Sequence, residues 1–192
     1  MRTLPLFLML CLSSSAIAGN KGEADRLTHE LNRLAEKGAW KGVERTYIKL
    51  LAESKNLPAA AHITGANAAQ QLGDATNASR RYLKAERVEP GSVGNSLNQY
   101  RTAYGRLHVR RVEATCIRLS PVERPFDPTH GSAIDFADKQ LSELGTFNGL
   151  VPAGAYTIGP HEVTIVPGTK PTTVQRVVGD SDCSDGGSGR WA

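Results

Sequence analysis

Proline placement divides this chain in two. Between Gly22 and Arg106 only Pro58 and Pro90 occur, whereas residues 121 to 171 hold Pro121, Pro125, Pro128, Pro152, Pro160, Pro167 and Pro171. Proline removes a backbone donor and clashes with the preceding turn, so it is excluded from helix interiors and tolerated at helix starts, turns and sheet edges. The first half can therefore carry helices of ordinary length, separated at Pro58 and Pro90. The second half is punctuated by prolines, and its β-branched runs predict strands.

The first half is rich in Ala, Leu, Glu, Lys and Arg, all good helix formers. Leu27, Leu31, Leu34 and Ala35 fall at i, i+4, i+7 and i+8, one face of a helix. Gly38 then marks a stop, and Trp40, Val43, Tyr47, Leu50 and Leu51 continue an apolar stripe on a second helix. A shift of 35 residues lays this unit on the next, pairing Gly38 with Gly73 and Tyr47 with Tyr82.

The second unit resembles a tetratricopeptide repeat. Ala66 lies in its first helix, Leu72-Gly73-Asp74 at the turn, and Ala78, Tyr82, Ala85 and Pro90 follow at that family's spacings. The departures are Gly42-Val43 near the small-residue position and Leu50 in the first unit, and His62 and Gly65 in the second, where large apolar residues are usual. Leu97, Tyr100 and Tyr104 suggest a capping helix. The resemblance implies a shallow groove that holds a peptide or partner protein. Asn67, Gln70, Gln71 and Arg81 are the candidate groove residues, although each also suits a solvated helix face.

From Leu107 onward the hydrophobic period shifts towards two. Strands are expected within Leu107 to Leu119 (one long strand or a bent pair), Ser132 to Phe136, Tyr156 to Ile158, Glu162 to Val166 and Thr172 to Val178. The run from Phe147 to Ile158, with Leu150, Pro152, Gly154 and Tyr156, resembles the closing hairpin of carboxypeptidase-regulatory-like and PEGA-type β-sandwiches. That likeness implies a docking or spacer module without catalytic residues. The expected fold class is thus α+β: helical hairpins over residues 19–106, a small antiparallel β-sandwich over 107–178, and an Asp/Ser/Gly-rich tail over 179–192.

The N-terminus has the pattern of an export signal over residues 1–18: Arg2, an apolar run from Leu4 to Leu12, and small residues ending at Ala16 and Ala18. Cys11 raises a lipoprotein reading, which the bulky Leu10 before it disfavours. The apolar run is too short for a permanent anchor, so a periplasmic or secreted location is expected, with no transmembrane anchor. Cleavage would leave Cys116 and Cys183, an even pair that suggests a disulfide in an oxidising compartment. It would also leave 22 basic against 19 acidic residues, with no basic block; nucleic acid is not an expected partner, while weak attraction to anionic wall or membrane polymers is compatible.

Signs of catalysis are sparse. The five histidines share no H-x-x-x-H or H-x-H spacing. No phosphate-binding glycine loop, G-x-S-x-G elbow or H-E-x-x-H occurs. Asp180, Asp182 and Asp185 lack the glycine and distal glutamate of a calcium loop. His130, near Asp127 and Asp135, is the best remaining candidate for chemistry, and an exposed polar loop is the plainer reading. The expectation is a non-enzymatic envelope protein with no cofactor or metal. Its partner is another envelope protein or, alternatively, a wall glycan or surface polymer held by the β module.

Overall fold

A computed structural model describes residues 16–110, 117–168 and 170–175. Five helices come first: α1 (Ala16–Glu36), α2 (Trp40–Glu53), α3 (Ala59–Gln71), α4 (Ala75–Val88) and α5 (Gly94–Ala103). They form two successive antiparallel hairpins and a closing helix. The leader expected over 1–18 lies almost wholly outside the described residues, as do Cys11, Cys116, Cys183 and the tail.

The pairing of Gly38 with Gly73 has a direct physical basis. Gly38 has φ +64° and Gly73 φ +82°, the left-handed conformation that costs a side-chain-bearing residue most. At the first turn Ala39 N donates to Leu34 O and Gly38 N to Ala35 O; at the second, Asp74 N donates to Ala69 O and Gly73 N to Gln70 O. This is one Schellman cap used twice, satisfying carbonyls that each helix end would otherwise leave bare. Asp74 then caps α4 by accepting from Asn77 N at 2.9 Å.

The departures at His62 and Gly65 prove to be mutual accommodations. A Cβ on Gly65 would lie 2.6 Å from the Tyr47 ring, so the missing side chain lets α2 lay its tyrosine on the α3 backbone. His62 then receives the buried Tyr47 hydroxyl, with Nδ1 2.9 Å away. Leu27, Leu31, Val43 and Leu50 complete this core. A second core gathers Ala66, Ala78, Tyr82, Leu97 and Tyr100 beneath α5.

The remaining elements are β1 (Tyr104–Val109), β2 (Leu119–Pro121), α6 (Pro128–Leu144), β3 (Phe147–Pro152), β4 (Gly154–Ile158), β5 (His161–Ile165) and β6 (Thr172–Val174). They make two three-stranded sheets, ordered β3-β1-β6 and β2-β4-β5. Five helices precede the sheets, α6 lies between β2 and β3, and the class is α+β. The β1–β6 pair is parallel and the other pairs are antiparallel, so the first sheet is mixed.

Two expectations are corrected. Ser132 to Phe136 is not a strand but part of α6, whose buried Ala133, Ile134, Ala137 and Leu141 keep a helical period. Its boundaries were visible: Asp127 accepts from Thr129 N as the N-cap, Pro128 opens the first turn, and Gly145 closes the helix at φ +66°. The segment containing Pro152 and Gly154 is also not a hairpin. β3 pairs with β1 while β4 pairs with β2 and β5, so the chain changes sheets there. Tyr156 Oη fixes the corner by donating to Pro152 O at 2.8 Å.

The two halves meet over a continuous contact. The expected junction at 106/107 falls inside β1, and Ala133 of α6 is buried in the core shared by α3, α4 and α5. Leu150 N donates to Thr76 Oγ1 at 2.8 Å, and Ala153 N to Ala103 O at 2.8 Å. Gly73 packs so closely on α6 that a Cβ there would stand 2.1 Å from Ser132 O.

Candidate functional site

Three of the four candidate groove residues lie on α3 and one on α4, and the fold separates their roles. Ala60, Asn67 and Gln71 are exposed and Thr64 is half-exposed; their spacing of i, i+4, i+7 and i+11 makes a single uncovered stripe of small and polar side chains. Tyr82 Oη donates to Asn67 Oδ1 at 2.6 Å and lies 3.1 Å from Gln70 Oε1. This bond fixes the Asn67 amide and leaves its Nδ2 donor for a ligand.

Gln71 ends the stripe where α3 meets α6. Gln71, Leu72, Ser132, Asp135, Phe136 and Lys139 line a notch of about 530 Å³ there. The stripe and notch together form a groove contributed by both halves of the chain. Asp135 and Lys139 are exposed at its edge, so it offers both signs of charge beside neutral amides.

Arg81 belongs to the interior. Its side chain is 9% exposed, and its guanidinium makes a two-pronged pair with Glu44, including Nη2 to Oε1 at 2.6 Å. Nη1 also donates to Gly65 O at 2.7 Å, and the group stacks 4.4 Å from the Tyr47 ring centroid. It ties α4 to α2 and α3. Its partner Glu44 lies 37 positions away, beyond the reach of helical periodicity, so the sequence alone does not distinguish Arg81 from a groove residue.

A second concave region lies at the sheet corner. It has a volume of about 480 Å³ and is lined by Pro121, Arg124, Phe126, His130, Ala155 and Tyr156, among others. Phe126 is fully exposed and Val122 63% exposed, an apolar rim beside charged Glu123 and Arg124.

His130 sits at the inner wall of this cleft rather than in an open loop. Its ring meets Tyr104 edge-on at 5.1 Å, and its Nε2 is buried without a hydrogen-bond partner, 3.8 Å from Asp127 Oδ2. Asp127 is occupied as a helix cap, accepting from Thr129 N at 2.8 Å and Thr129 Oγ1 at 2.6 Å. The Thr129 hydroxyl bond, foremost, holds that carboxyl below the usual aspartate range. Tyr104 is pushed up to about 12 chiefly by burial. These groups lack the nucleophile-base-orienter chain of covalent catalysis. Among the described residues, no group of three His, Cys, Asp or Glu side chains is placed to hold a metal ion, and no helix is long and apolar enough to cross a membrane.

No protein-family model, curated protein or solved structure matches the chain.

Proposed function

We propose that the chain is an exported adaptor of a bacterial cell envelope, binding a partner protein along the α3 stripe and the notch beside α6, and working by contact rather than catalysis. The observation that carries this reading is the Asn67 amide, oriented by Tyr82 yet free on an uncovered helix face. An ordered amide with a spare donor suits the backbone of an extended peptide, because little side-chain entropy remains to be lost on binding. The tetratricopeptide-like succession of hairpins, the export-type N-terminus and the absence of catalytic motifs in the sequence support the same reading.

The paired substitutions Asn67→Arg and Gln71→Arg in the full chain test it. Both positions are exposed, and Gln70 Oε1, 3.1 Å from Tyr82 Oη, remains to accept from that hydroxyl, so folding is retained while partner binding in detergent-free envelope extracts falls at least tenfold. Unchanged binding by the folded double variant rejects the α3 site. A second reading is favoured by one observation: fully exposed Phe126 stands beside Arg124 and Glu123 on the sheet-corner cleft, an arrangement suited to stacking on a sugar ring of a wall glycan. In that case Phe126→Ala, not the α3 pair, abolishes cosedimentation with the polymer.

A further inference from the structure

The contact between the two helical hairpins holds a buried tyrosine–histidine pair beside the Arg81–Glu44 ion pair. Tyr47 is buried on α2 and His62 is 6% exposed on α3, with Tyr47 Oη 2.9 Å from His62 Nδ1. The rings cross at 71° with centroids 6.0 Å apart. The Tyr47 ring rests on Gly65, where no Cβ could be accommodated without movement. Tyr47 therefore locks α2 onto α3, and His62 satisfies its hydroxyl.

The geometry suits a neutral histidine. With its proton on Nε2, His62 presents a bare Nδ1 lone pair and Tyr47 donates to it. A second proton on the ring reverses the bond: Nδ1 becomes a donor, and the Tyr47 hydroxyl hydrogen loses the acceptor it had. The charged groups around the pair oppose that proton too. Arg81 and Lys84 of α4 both disfavour a cation on His62, while Glu44 of α2 is engaged by Arg81. From α1, Leu27 and Leu31 add only apolar surface to the shared core.

We propose that the Tyr47–His62 pair is an acid-sensitive joint between the two helical hairpins, closed when His62 is neutral and loosened when it takes up a proton. Burial, followed by the nearby Lys84 and Arg81 charges, lowers the His62 pKa from its ordinary value near 6.5. The unfolded or opened chain thus binds more protons than the closed one in the window below about 6.5. Stability contributed by the neutral pair is complete above that value and drains as pH falls towards the lowered folded-state value.

Urea unfolding of the full chain between pH 5 and 8 tests the joint, comparing the unsubstituted protein with His62→Gln and with the double variant Tyr47→Phe/His62→Leu. Gln keeps an acceptor without a titrating ring, and the double variant removes both polar partners together. In the unsubstituted protein the unfolding equilibrium constant rises by up to tenfold per pH unit below about 6.5, over and above the change in either variant, as one extra proton requires. The His62 ring, followed by NMR, titrates below a free histidine. Parallel pH dependence in all three proteins, or a ring titrating at or above the free value, overturns the proposal. If neither variant folds, the ring titration in the unsubstituted chain decides alone.

Discussion

Replacing Gly73 and Gly38 separately by alanine distinguishes a residue that only ends a helix from one that also joins the two halves. Both glycines hold left-handed backbone, φ +82° and +64°, and both close a Schellman cap. Forcing alanine into that conformation costs about 1 kcal/mol at either place. Their surroundings differ. A Cβ on Gly38 finds its nearest neighbour, Trp40 Nε1, at 4.0 Å, whereas one on Gly73 would lie 2.1 Å from Ser132 O and 2.8 Å from Ser132 C. Those are backbone atoms of α6, so relief requires the helix itself to move, and overpacking of that kind costs roughly 1 to 3 kcal/mol more. Gly73→Ala should therefore destabilise by about 2 to 4 kcal/mol and Gly38→Ala by about 1 kcal/mol. Denaturant unfolding with the slope m held common gives both values. Equal losses at the two glycines would refute the close docking of α6 on the α3–α4 turn.

Two further substitutions test the interior. Arg81→Leu leaves Glu44 and Gly65 O without their donor and removes the Tyr47 stacking; a loss of about 2 to 4 kcal/mol is expected, towards the lower side because Glu44 retains some solvent contact, and equilibrium unfolding with a loss under about 0.5 kcal/mol, typical of a surface site, would place Arg81 back on an open face. Asp127→Ala removes the α6 cap and should cost about 1 kcal/mol. Because the Asp127 carboxyl is held below its ordinary value, its contribution is present above the unfolded pKa near 3.9 and disappears as pH falls through the lowered folded value; an unchanged acid limb in the alanine variant would contradict this.

The helical hairpins were legible because their determinants are local. Leu27, Leu31 and Leu34 repeat with the helix, and Gly38 and Gly73 punctuate it at equal spacing. α6 was equally encoded but hidden by competing signals. Ile134-Asp135-Phe136 alternates like a short strand, and only the longer run to Leu141, framed by Asp127-Pro128 and Gly145, reveals the helical period. Asn67 and Gln71 were recognisable as exposed because helix phase sets exposure. Arg81 was not, because its burial depends on Glu44 from the preceding hairpin and on a glycine at position 65, contacts that only the tertiary arrangement creates. The notch beside α6 was hidden for the same reason: it exists only where the two halves touch.

Site-specific photo-crosslinking in the native envelope addresses the adaptor reading most directly. A photoreactive residue at position 67 should capture one discrete protein, as should one at 71, while the same residue at Ile48, exposed on α2, captures none. Equal, diffuse labelling from all three positions, or none from 67 and 71, would contradict a partner seated on α3.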